Sequence, residues 1–98
     1  MAEDETRNED REQIPKPELP ITIPLEKPIY DGEKEIKEFK ITREPIGADW
    51  TAFNVQNATV GDFQRVASKL TGLPLPIIRK ADTKATFRLT EVIGAFLD

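Results

Sequence analysis

Residues 39–53, FKITREPIGADWTAF, change hydrophobic period in mid-course, and no other stretch constrains the fold as strongly. Upstream, Phe39 and Ile41 alternate with Lys40 and Thr42, the period of two that sets one face of a strand on a core. Downstream, Ile46, Trp50 and Phe53 recur at i, i+4 and i+7, which places three apolar groups on one helical face. Between them, Pro45 fixes its own φ near the helical value and drives Glu44 out of the α region. The strand is therefore expected to stop at about Arg43, and a short helix to cover 47–55.

Ile21, Ile23 and Leu25 alternate with Thr22, Pro24 and Glu26, a half-buried strand. Pro24 has no N–H for a ladder, so this strand must lie at an edge with that position outward. Asp31-Gly32 then carries the hairpin signal of a turn that needs positive φ. A second strand is predicted over 34–43. Ile36 is out of phase with Phe39 and Ile41, which predicts a bulge or an early twist near Lys37 and Glu38. Two strands alone are marginal in water, so the hairpin must lie against helices.

Three helical signals follow. Thr59-Val-Gly-Asp62 has the spacing of a capping box, and Phe63, Val66, Ala67 and Leu70 continue at i, i+3, i+4 and i+7 before Gly72 supplies a left-handed stop. Residues 73–80 predict a turn and a brief helix, with Pro76 in its first turn. Over 84–97, Leu89, Val92, Ile93 and Phe96 repeat the helical spacing, and Gly94 weakens that helix or permits close contact. The predicted core is Phe39, Ile41, Trp50, Phe53, Phe63, Val66, Leu70, Leu89, Val92, Ile93 and Phe96. The fold class is thus α+β: over 21–98, an N-terminal antiparallel β-hairpin packed on a small bundle of three to four short helices.

The region before it differs in composition. Residues 1–13 hold six acids against Arg7 and Arg11, which is the whole net charge of -4. With Met1 and Ala2 as their only apolar residues, they are expected to be a disordered acidic tail, either an arm for a basic partner or a solubilising extension. Residues 14–20 read as a proline-rich linker. The remainder is neutral and lacks the basic footprint that a nucleic-acid backbone demands. No apolar run approaches the roughly 20 residues of a membrane-spanning helix, so a soluble protein without membrane partners is expected.

Catalytic chemistry is poorly provided for. With no histidine and no cysteine, the usual general base near neutrality and the commonest metal ligands are absent. Ser68, the only serine, is adjacent to Lys69, and neighbours on a helix do not face each other. Asp49 and Asp62 read as helix-start acids rather than a carboxylate pair. Five scattered glycines form no phosphate loop. A binding module without cofactor or metal is therefore expected, not an enzyme. Leu73, Leu75, Ile77 and Ile78 lie in an unbroken apolar-and-proline run with a poor face pattern, the predicted partner site or self-association patch.

The segments ITIPLEKPI, YDGE, KEFKITREPIGADW, ASKLTGLP and VIGAFL, in that order, resemble the tail assembly chaperone family of contractile-tailed phages, the tail assembly protein E type. The most specific part is the motif Arg43, Glu44, Pro45, Gly47 and Asp49; here Ala48 separates the glycine from the aspartate. The resemblance implies a non-enzymatic chaperone in the bacterial host cytoplasm. It would hold the tape measure protein soluble until tail tube subunits polymerise, and be absent from the mature virion. Such families also make a frameshift-extended form of the chain, a further expected partner. The alternatives are a structural tail or connector subunit retained in the particle and a small regulatory adaptor.

Overall fold

A computed structural model describes residues 18–97; the acidic tail expected over 1–13, linker residues 14–17 and Asp98 lie outside them. The described chain is α+β. Strands β1 (Ile21–Asp31) and β2 (Lys34–Ile41) form an antiparallel hairpin. A 3₁₀ turn (Gly47–Trp50) follows, then helices α1 (Val60–Thr71), α2 (Leu75–Ile78) and α3 (Thr83–Ala95).

The hairpin turns through Gly32 and Glu33, one residue later than the Asp-Gly signal suggests, since Asp31 is paired with Lys34. Gly32 is thus the first central residue, and its φ of 68° is what the primed hairpin turns require there. Ile21 faces Ile41, and Ile23 faces Phe39. The register then breaks: Pro24 faces Glu38 but Ile29 faces Ile36, so residues 25–28 stand opposite Lys37 alone. The irregularity expected near Lys37 is there, with its extra residues on β1. Ile36, although out of phase with Phe39 and Ile41, is buried as they are, and its partner across the slip, Ile29, is buried too.

β2 ends at Ile41, two residues before the expected stop, and the helix predicted over 47–55 is only a single 3₁₀ turn. The Asn54 side chain explains the early end. Its oxygen accepts from the N–H groups of Gln56 and Asn57, both at 3.1 Å, a local competitor to helix continuation. Without a continued α-helix, the i, i+4, i+7 spacing no longer defines one face: Ile46 is 62% exposed, while Trp50 and Phe53 are half-buried against the core. Phe63 and Phe96 are likewise half-buried. The aromatic rings of Trp50, Phe53 and Phe63 stack edge to face in sequence, with centroids 4.9 and 5.0 Å apart.

Helix α1 follows its sequence signals closely. Thr59 Oγ1 accepts from the N–H of Asp62 at 3.2 Å, and Asp62 Oδ2 accepts from the N–H of Thr59 at 3.0 Å. Gly72 ends the helix at φ 77°, donating its N–H to the Ser68 carbonyl. One cluster of buried residues joins Ile23, Ile29, Ile36, Phe39 and Ile41 of the hairpin to Val66, Ala67 and Leu70 of α1, Ile77 and Ile78 of α2, and Ala85, Leu89, Val92 and Ile93 of α3.

Candidate functional site

The motif residues around Pro45 form a clip that ties the β2–α1 connection to the end of α1. Arg43 grips Asp49 with both arms of its guanidinium, Nη1 to Oδ2 at 2.8 Å and Nη2 to Oδ1 at 3.1 Å. Asp49 Oδ2 also accepts from the Ile46 N–H at 2.7 Å, and Arg43 Nη2 reaches the Lys69 carbonyl at 3.3 Å. The Lys69 ammonium returns to the Ala48 carbonyl at 3.4 Å. Asp49 is buried, and the Arg43 guanidinium beside it holds its carboxyl below the usual range. Pro45 is half-buried and Glu44 exposed. Gly47 has open space where a Cβ would stand and no positive φ, so this fold does not require glycine there.

The apolar run expected to be an uncovered partner patch is largely internal. Ile77 is 6% and Ile78 0% exposed, and Leu73 and Leu75 are half-buried. The correction has a local cause: once Pro74 and Pro76 start α2, its single turn directs Ile77 and Ile78 into the core between α1 and β1.

An apolar surface is instead open between β1 and α3, in a groove of about 1500 Å³. This exceeds the roughly 300–1,000 Å³ of small-molecule pockets and suits a stretch of polypeptide. One wall is the slipped part of β1, with Leu25, Pro28 and Tyr30; the other is the outer stripe of α3, with Lys84, Phe87, Arg88 and Glu91 at i, i+3, i+4 and i+7. Tyr30 and Phe87 are 57% and 56% exposed. The signal in the sequence was Phe87, an aromatic standing in an otherwise charged helical stripe, out of phase with Leu89, Val92, Ile93 and Phe96.

Asp82 lines this groove and ties its two walls together. One carboxylate oxygen caps α3 by accepting from the Ala85 N–H at 2.8 Å, while the other accepts from the Glu26 N–H of β1, also at 2.8 Å. These two backbone donors keep its carboxyl below the usual range. Asp62 is lowered too, first by the Thr59 N–H and then by Arg65, with which it forms an ion pair. Asp49 and Asp62 thus serve separate caps and do not act as a pair. Among the described residues, no three His, Cys, Asp or Glu side chains gather as a metal site, and no helix is long and apolar enough to cross a membrane. Comparisons with protein-family models, with characterised proteins and with solved structures gave no match to this chain.

Proposed function

We propose that this chain is a non-catalytic tail assembly chaperone of a contractile-tailed phage. It holds the long tape measure protein in the host cytoplasm and leaves when the tail tube forms around it. The hairpin packed on short helices is then a scaffold whose task is to present the β1–α3 groove. The observation that carries this reading is that groove, in which Tyr30 and Phe87 stand more than half exposed on facing walls of a chain with few large side chains to spare. The depressed carboxylates of Asp49, Asp62 and Asp82 fit the same reading. Each is engaged by backbone N–H groups, whereas a general acid needs a raised value.

Co-expression with a tape measure protein of a contractile-tailed phage tests the proposal. The partner should move into the soluble fraction and co-purify with this chain, and mature particles should contain no peptide from residues 39–53. Stoichiometric recovery of that peptide from finished particles would favour a retained connector subunit instead.

A further inference from the structure

We infer that the β1–α3 groove takes an amphipathic α-helix of a partner polypeptide, with acidic residues flanking its apolar stripe, and does not take an added β-strand. The inference deepens the holder reading and rests on it for the nature of the partner.

The case against a strand lies in the backbone of β1. An edge strand recruits another through free N–H groups on alternate residues. Here Pro24 and Pro28 have no N–H, and the N–H of Glu26 between them already donates to Asp82. Residues 24, 26 and 28 therefore offer an incoming strand no donor over the slipped part of β1. An occupant must satisfy its own backbone and contribute side chains alone, which is what an α-helix does. The two aromatic rings on opposite walls suit the i, i+3, i+4, i+7 stripe of such a helix.

The charges on the rim choose the flanks. Lys27, Lys80, Lys84 and Arg88 face Glu26, Asp82 and Glu91. The carboxylates are already engaged: Asp82 by two backbone N–H groups, Glu26 by Lys84 at 3.7 Å and Glu91 by Arg88 at 3.3 Å. Among the described residues, Lys27 and Lys80 have no carboxylate within ion-pair distance. The surplus is positive, and complementarity across an interface calls for acidic flanks.

The test uses the full chain, isotopically labelled, titrated with three synthetic peptides of about 20 residues, each long enough to span ~30 Å as a helix. The first has leucines at helical spacing flanked by glutamates; the second has the same composition with leucines at every other residue; the third replaces glutamate by lysine. The first should shift the amide resonances of Leu25, Tyr30, Phe87 and Arg88, bind at least about tenfold more tightly than either control, and weaken as salt is raised. Phe87→Ser and, independently, Tyr30→Ser should each reduce that affinity about tenfold, with melting temperature unchanged. Equal or tighter binding of the alternating or lysine peptide, or shifts confined to another face, would overturn the inference. So would concentration-dependent shifts at Tyr30 and Phe87 without peptide, which would make a second copy the occupant. If the glutamate peptide binds the groove while co-expression leaves the long partner insoluble, the holder reading falls and the groove assignment stands. If co-expression succeeds undiminished by Phe87→Ser and no peptide binds the groove, the groove assignment falls alone.

Discussion

Asp49 shows how one buried carboxylate can organise a connection that has almost no regular structure. At 6% exposure it is stable as an anion only because Arg43 and the Ile46 N–H face it, and removing its charge leaves the guanidinium without its partner. Asp49→Asn should therefore lower the free energy of unfolding by about 1–3 kcal/mol, read from urea denaturation. Arg43→Lys should not behave as a silent change, because an ammonium cannot reproduce the two-armed contact. The pH dependence follows from the same groups. Asp49, Asp62 and Asp82 are all lowered in the folded state, so below the ordinary carboxylate range of about 4 the unfolded chain binds more protons. Their contribution is full above that range and is lost as pH falls through the depressed folded values. The melting temperature should be flat from neutrality down to about pH 5 and fall below about pH 4, with a shallower fall in Asp49→Asn. The chain has no histidine, so no step from that residue is expected between pH 5 and 8.

At the scale of elements, two glycines offer a contrast. Gly72 ends α1 at φ 77° with open space around its missing Cβ, so Gly72→Ala meets no clash and its cost is purely that of a left-handed backbone, roughly 1–2 kcal/mol. Gly47→Ala also meets open space but has no such φ, and should change stability by less than about 0.5 kcal/mol. Equal losses in the two variants would contradict this account of the helix stop. The strand edge makes its own prediction. Pro24→Val together with Pro28→Val adds two N–H groups to β1 without altering charge, and should give concentration-dependent association by light scattering where the parent chain shows less.

Across the whole molecule, the core is shared among strands and helices, so its loss at one point is felt everywhere. Ile78 is wholly buried between the hairpin and the helices, and Ile78→Ala should cost about 2–5 kcal/mol, a large part of the ~5–15 kcal/mol of an ordinary small protein. Trp50→Ala should cost less than Ile78→Ala, because half-buried Trp50 gives up less packed surface despite its stacking on Phe53. Thermal denaturation of the two variants decides the order.

Much of this architecture was legible from neighbours in the chain. The alternation of Phe39 and Ile41, the Thr59–Asp62 capping box and the Gly72 stop each depend on residues within about four positions, so local steric and hydrogen-bonding rules suffice to read them. The slip opposite Lys37 was legible for the same reason, from the phase of Ile36 against Phe39. Only the folded chain decided which apolar groups would be covered. Ile77 and Ile78, expected at the surface, are enclosed between α1 and β1, whereas Phe87 and Tyr30 are left open. Nor could spacing show that Asp82 would cap α3 and take the N–H of Glu26, 56 residues away, or that Arg43 would join Asp49 to the carbonyl of Lys69. Burial and long-range hydrogen bonds belong to pairs of distant surfaces, and such pairs exist only once the chain has brought them together.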